Sequence, residues 1–257
     1  MKVILVGATG KLGLRVLSAL LTHKHSVVAF VRSEAKLKTL VPASVLARTT
    51  VVEGDAKHSA QIQQAILDHG CDALVNTAGL AAMMPWQSSD FPEIVKAVVK
   101  GATDASVARG KPLRAWILGG MGTLTAPGTD AVLTSYLPLF QEHEQNLDLL
   151  TSLPAHALRW SFLCPSGMSA ASPEISVPMT PAPAPLISAA TYPPEWQESW
   201  VQRVPLIGGC LLLLSNAMRY LITYESAADF IAADLETGSD EWIGQRVGLI
   251  AASKKKQ

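Results

Sequence analysis

The residues whose spacing speaks most directly of chemistry are Gly7, Gly10 and Gly13 in VGATGKLG, a G-x-x-G-x-x-G run that follows four apolar residues and leads into a helical pattern at Lys11 and Leu12. Glycines in such a turn let the backbone close tightly and approach a pyrophosphate, which then rests on the helix N-terminus. Gly7, Thr9, Gly10, Lys11, Leu12 and Gly13 are the candidate phosphate cradle. A second β-rich run ends at Val31, and the residue after it discriminates between dinucleotides. An NAD site would place Asp or Glu there for the ribose 2′-hydroxyl; this chain has Arg32, with Lys36 one turn later, and a guanidinium suits a 2′-phosphate. NADP(H) is therefore the expected cofactor. Asp55 and Ala56 in VEGDA follow the third apolar run, where a carboxylate can bond an adenine amino group. Thr77, Ala78 and Gly79 in VNTAGL follow the fourth, where small residues let a ribose pass close to the backbone. Glu34, beyond the strand end, reads as a helix-start residue.

These residues need a sheet that brings successive strand ends together. Apolar runs at Lys2–Val6, Ser26–Val31, Thr50–Glu53, Ala73–Asn76, Ala115–Leu118 and Leu158–Leu163 alternate with helical patterns at Lys11–Leu21, Glu34–Leu40, Ser59–Leu67, Phe91–Ala108 and Leu139–Leu150. Continuous apolar strands alternating with helices predict an α/β fold, a doubly wound parallel sheet covered on both faces, with ligands at the carboxyl edge of the strands. From Pro165 to Pro194 the pattern breaks, with eight of the sixteen prolines in thirty residues. Such a segment can be neither helix nor central strand, so it is expected as an ordered excursion or loop. Periodicity returns at Trp196–Val201, Gly209–Leu221 and Ser226–Leu235, before an apolar run at Arg246–Ile250. The expected organisation is a single domain over 1–257, with residues 165–220 forming a small, proline-rich substrate lobe.

Composition narrows the partners. The chain has 257 residues, 49% of them hydrophobic, enough for a large core. Lys plus Arg and Asp plus Glu both count 21, so there is no electrostatic case for nucleic acid or an anionic membrane surface, and a small-molecule partner is expected. Cys71, Cys164 and Cys210 share no metal-like spacing and fit a reducing, cytoplasmic setting, and no metal is expected. The apolar part of the N-terminus, Val3–Val6, is too short for a signal segment. The run VPLIGGCLLLL, Val204–Leu214, is too short to span a bilayer and is expected as a buried helix of the lobe; the SKKKQ tail is expected as a solvated end.

GATGKLG, the Arg32 position, EGDA, the LGGMGTL turn (Leu118–Leu124) and LRWSFLCPSGM (Leu158–Met168) resemble the atypical short-chain dehydrogenase/reductases, in particular the NmrA-like, NAD(P)H-binding branch that includes flavin and biliverdin reductase-like proteins. ITYESAADFIAADLE is similar to the segment that closes those folds. The resemblance spans nearly the whole chain and loosens from Pro173 to Met218. It implies a Rossmann fold with NADP(H), with Pro165 to Met168 beside the nicotinamide end.

The chain departs from the family in its catalytic residues. Reductases of the standard type use Tyr-x-x-x-Lys, the lysine lowering the tyrosine pKa. Here Tyr136 is followed four residues later by Phe140, and no lysine occurs between Lys111 and Lys254. The helix before the sixth strand supplies Glu142, His143 and Glu144 instead, and the turn after the fifth strand, where the family often has serine, reads Gly119-Gly120-Met121-Gly122-Thr123. Tyr136 and His143 are the candidate proton donors, His143 as a group able to titrate near neutrality. Apolar residues after the fourth strand (Leu80, Met83, Met84, Pro85, Trp86) and in the lobe (Met168, Met179, Tyr192, Trp196) suggest a pocket for an apolar organic molecule, with Met84, Trp86, Met121 and Met168 as its candidate lining. Three readings stay open: an NADPH-dependent reductase, a non-catalytic NADP(H)-sensing regulator of NmrA type, and a non-redox isomerase, cyclase or dehydratase on the same scaffold.

Overall fold

A computed structural model describes residues 1–204 and 207–252. Pro205 and Leu206 of the VPLIGG run, and the SKKKQ tail, lie outside the described residues. Among the described residues, ten strands and eight α-helices follow in the order β1 (Lys2–Val6), α1 (Lys11–Thr22), β2 (Ser26–Val31), α2 (Glu34–Leu40), α3 (Ala43–Leu46), β3 (Thr49–Glu53), α4 (Ser59–His69), β4 (Ala73–Asn76), α5 (Phe91–Arg109), β5 (Arg114–Leu118), α6 (Glu142–Thr151), β6 (Arg159–Cys164), β7 (Met168–Ser169), β8 (Leu186–Ala190), α7 (Gly208–Ala217), β9 (Ile222–Thr223), α8 (Tyr224–Thr237) and β10 (Gln245–Ala251).

Eight strands form one sheet in the order β3-β2-β1-β4-β5-β6-β10-β8, parallel throughout except for the edge strand β8. The apolar runs are continuous because both faces are covered. Val3 and Leu5 of β1 join α1 and α8 on one face, while Ile4 and Val6 join α4 and α5 on the other. The two edge strands, β3 and β8, are only partly buried. Helix α8 is locked to the sheet by a buried ion pair from Arg114 to Asp234 at 2.7 Å, whose carboxylate also accepts from Trp116 Nε1 at 2.8 Å.

The proline-rich excursion is tied down at both ends. Met168 and Ser169 of β7 pair with Ile222 and Thr223 of β9, and the buried Glu225 carboxylate takes the amides of Ala171 (2.9 Å) and Ser172 (3.4 Å) while bridging to Arg15 on α1 at 3.2 Å. Within the excursion, the proline-free stretch Leu186–Ala190 adds β8 to the outside of β10, a single-sided pairing of the kind that an edge permits.

Three expected helices differ. The pattern from Leu139 becomes helical only at Glu142, because Pro138 precedes it and Phe140 sits at φ 56°, a left-handed conformation that no helix interior accepts. Trp196–Val201 is not an α-helix; a short 3₁₀ turn forms at Trp200–Arg203 instead. Helix α7 is present but not buried: it turns Leu212 inward while Leu211 and Leu214 stay 38% and 52% exposed. An all-apolar run carries no signal of which face will be covered.

Candidate functional site

The sheet order places the expected nucleotide residues at neighbouring carboxyl ends: Asp55 after β3, Arg32 after β2, the glycine turn after β1 and Thr77–Gly79 after β4. The three glycines of the turn have different jobs. Gly7 lies at φ +91°, and a Cβ there would stand 2.6 Å from the Ala78 nitrogen, so β1 and β4 can close on each other only with glycine. A Cβ on Gly13 would lie 2.1 Å from the Gly7 carbonyl oxygen, so its absence lets α1 pack on the turn. Gly10 is exposed and has no neighbour closer than 3.4 Å to a built Cβ, which leaves open space in front of the helix start. As the N-cap of α1 it offers no side chain to the first-turn N–H groups. Thr9 is half-buried and Lys11 exposed beside that space, while Leu12 is buried beneath it. Thr77 Oγ1 donates to Val6 O at 3.1 Å and stitches the two turns together.

Arg32 is exposed and has no ion-pair or hydrogen-bond partner among the described residues. Its acidic neighbour is engaged elsewhere, since Glu34 pairs with Lys38 at 2.8 Å in the first turn of α2, capped by Ser33. Asp55 accepts from the Lys57 amide at 3.0 Å, and Lys57 reaches across to Asp90 and Glu93 of the α5 start at 2.8 and 3.1 Å. Ala56 is half-buried in the same turn. This edge therefore holds an open space at Gly10, a helix start without a side-chain cap, and at Arg32 a guanidinium with no partner among the described residues.

At the other end of the same edge, beyond β4, β5 and β6, lies a cavity of about 400 Å³. Its walls come from Gly79–Ala81 and Phe91, the Leu118–Gly122 turn, Leu133 and Thr134, Leu137, Leu139 and Phe140, His143, Pro165, Ser166 and Met168, and Leu213, Leu214 and Ala217 of α7. Of the expected pocket residues, Met121 and Met168 line it, as do Pro165 and Gly79. Met84 and Pro85 do not; they border a separate cavity of about 350 Å³ with Gln87 and Glu93. Trp86 is 78% exposed and lines neither, because the loop carrying it turns outward after Ala81. Met179 is buried on the other face of the sheet, and Trp196 packs beside Tyr220 in the core.

The two proton-donor candidates part company. Tyr136 lies outside the cavity wall, its ring laid against α7 where a Cβ on Gly209 would come within 2.5 Å of it. His143 lines the cavity, packed edge-on against Phe91 at 5.0 Å between ring centres. It does not titrate near neutrality: burial pushes its pKa down to about 4, against a small opposing pull from the Glu142 carboxylate. The imidazole is neutral at physiological pH.

Glu142 was legible only as one of three polar residues at the helix start. In the fold it ties down the loop after β4, accepting from Ala82 N, Ser89 N and Ser89 Oγ, each at 2.7 Å, and it lines the separate space beside Met84 and Pro85. Burial would raise its pKa, but these donors hold the carboxyl below its ordinary value. Phe140, marked in the sequence only as standing where the lysine would be, has a left-handed backbone held by its amide to Met83 O at 2.9 Å, and it forms part of the cavity wall. Nothing in the local pattern marks either role, since each depends on a loop some 50 to 60 residues upstream.

Fold and strand-end geometry together define a dinucleotide-binding α/β protein of the doubly wound class. Residues 7–188 match the model of the NAD(P)H-binding family, and the chain belongs to that family. No curated protein matches it. Among solved structures, it is similar to one named as an NADH-flavin reductase from Streptococcus pneumoniae TIGR4, at 19% identity over 98% of this chain and 100% of that one, TM-score 0.63. It also resembles an epimerase-named protein from Bacteroides thetaiotaomicron at 17% identity (98% and 97% covered, TM-score 0.65). A wide-type short-chain dehydrogenase/reductase from Veillonella parvula DSM 2008, solved in complex with NADP, is similar at 13% identity (98% and 95% covered, TM-score 0.62). The family and the Rossmann-type fold agree with the resemblance read from the sequence. No helix among the described residues is long and apolar enough to cross a membrane.

Proposed function

We propose that the protein is an NADPH-dependent reductase of a small, uncharged, apolar or aromatic molecule, working without a tyrosine-lysine pair. The observation that carries this reading is the cavity of about 400 Å³ at the β4–β6 end of the edge that bears the glycine turn, with no Lys, Arg, Asp or Glu among the described residues of its wall. Its size falls within the range of small-molecule sites. An apolar space of this kind favours an organic substrate over the purely regulatory reading, in which a cofactor alone would suffice.

Gly7, Thr9, Gly10, Lys11, Leu12 and Gly13 would hold the pyrophosphate, Arg32 the 2′-phosphate, and Asp55 with Ala56 the adenine. Thr77–Gly79 and Pro165 would flank the ribose and nicotinamide. The cofactor, when bound, supplies a hydride. The chain's own contribution is positioning and exclusion of water by the apolar wall, so that the reacting atoms are held rather than activated by a strong base. Residues 165–220 serve as the substrate lobe within a single domain. The three free cysteines, two of them buried, support a reducing cytoplasmic setting.

The test is a fluorescence titration with NADPH and NADH, followed by turnover of a panel of neutral quinones, cyclic ketones and free flavin under saturating NADPH. Tighter NADPH binding with oxidation of the nicotinamide by at least one neutral acceptor is expected. NADPH binding with no oxidation by any member of the panel would favour the regulator.

A further inference from the structure

Among the described residues, three cavity-lining side chains carry nitrogen or oxygen: Thr134, His143 and Ser166. Two of them have already directed their protons at protein acceptors: Thr134 Oγ1 donates to the Glu144 carboxylate, and Ser166 Oγ to Ala217 O at 3.5 Å. His143 is different. A Cβ built on Gly120, itself part of the wall, would lie 2.6 Å from His143 Cδ2 and 2.9 Å from Nε2, so the imidazole's Nε2 edge lies over Gly120 and fills the place a larger residue would take. The opposite nitrogen, Nδ1, is sealed from solvent with no hydrogen-bond partner among the described residues.

That asymmetry fixes the tautomer. A neutral imidazole has one N–H and one lone pair. A buried N–H without an acceptor is the worse orphan, whereas an unpaired acceptor is more readily tolerated. The proton therefore belongs on Nε2, at the Gly120 edge. We propose that His143 donates a hydrogen bond from Nε2 to the carbonyl oxygen of an uncharged cyclic ketone or quinone seated in this cavity. The proposal rests on the reductase reading for the use made of that bond, and it names the substrate class. A carboxylate or phosphate would be stripped of water against this wall with no cation among the described residues to meet it, which disfavours an ionised substrate here. Burial, which holds the ring's pKa at about 4, keeps a single ring proton in place at neutral pH. His143 then serves as a fixed polarising donor and keeps that proton: the hydride from the nicotinamide goes to the carbonyl carbon, and the oxygen takes its proton from solvent.

The test uses the full chain with NADPH bound and two probes of nearly the same shape, α-tetralone and its carbonyl-free analogue tetralin. α-Tetralone should bind about tenfold more tightly than tetralin, the scale of one hydrogen bond. His143→Phe should erase that margin while leaving tetralin affinity in place, and His143→Gln, whose amide N–H reaches toward the same point, should restore part of it. In nitrogen-15 spectra of the histidines, His143 should show the Nε2-protonated pattern, and its Nε2–H signal should move on adding α-tetralone but not tetralin. Equal binding of the two probes by the parent protein, or an Nδ1-protonated spectrum, would overturn the donor role and leave the apolar-site reading standing. If neither probe binds while NADPH titrates normally, the cavity is not a substrate site, and the reductase reading falls together with the proposal.

Discussion

The β3–β1 end of the sheet's carboxyl edge and the β4–β6 end are built on different principles. Toward β3, the site is backbone: a glycine turn, a helix start and short strand ends whose residues lie within fifty positions of one another. Toward β6, the site is a cavity whose wall is gathered from residues as far apart as Gly79 and Ala217. At the first end, single residues are forced by conformation and close approach. At the second, a residue's role comes from what a distant segment presses against it, as Gly120 does with His143 and Gly209 with Tyr136.

The sharpest way to break this contrast lies inside the glycine turn. Gly13→Ala would drive a methyl group onto the Gly7 carbonyl, a backbone atom that cannot step aside, and should cost about 3 kcal/mol, or roughly 6 to 12 °C in Tm. Gly10→Val meets only an ordinary contact, with the Gly7 carbonyl oxygen at 3.4 Å, so the melting temperature should fall by far less than in Gly13→Ala while NADPH titration goes flat. A folded Gly10→Val variant that binds NADPH normally would show that the space before α1 is not a phosphate cradle.

The cavity end should reveal itself through pH. His143 has a folded-state pKa of about 4, below the 6.5 of an unfolded chain, so the unfolded state binds the extra proton. The neutral ring's contribution is complete above pH 6.5 and is lost as pH falls toward 4, on the order of 3 kcal/mol. His25, also lowered, adds to the same trend, and His23, raised despite burial by its bonds to Asp229 and Glu236, opposes it. Denaturant unfolding of the parent and of His143→Phe at pH 7 and pH 4.5 isolates the one ring. Parallel pH dependences for the two proteins would mean that the imidazole is solvated.

A smaller effect is expected at Arg32, where loss of a charge-assisted contact costs roughly 1.5 to 3 kcal/mol. Arg32→Ala should weaken NADPH binding by about tenfold to a hundredfold and leave NADH nearly untouched. Equal affinities for the two nucleotides in the parent protein would sink the 2′-phosphate assignment.

Legibility in the sequence follows the same divide. The strand boundaries at Lys2–Val6, Ser26–Val31 and Ala73–Asn76 agree with the fold because both faces of those strands are buried and their apolar runs are unbroken. Met84 and Trp86 have the type and the place after a strand that suit a pocket, but the direction of that loop is set by Glu142, sixty residues downstream of Ala82. His143 sits between two acids and looks like a solvated residue until α6 is packed against α5, which brings Phe91 onto its ring. Edge strand β8 was hidden by the prolines around it, since a five-residue strand with one partner leaves little periodic signal.

The smallest predicted effect is at Tyr136, and it bears most directly on how this family's chemistry has been rearranged. In a tyrosine-lysine mechanism the phenol must reach the reacting carbonyl. Here it stands outside the cavity wall, its ring occupying the room that Gly209 leaves on α7, and the position four residues on is Phe140, which lines the cavity with a hydrocarbon ring. Removing the hydroxyl leaves that ring packing intact, so Tyr136→Phe should change turnover of a neutral acceptor by less than about twofold and leave its KM in place. His143→Phe in the same assay should lower kcat/KM by at least the tenfold expected of one lost hydrogen bond. A loss of about a thousandfold in Tyr136→Phe, with His143→Phe unaffected, would reverse the assignment: the phenol would have to swing into the cavity during turnover, and α7, which now holds it, would have to move with it.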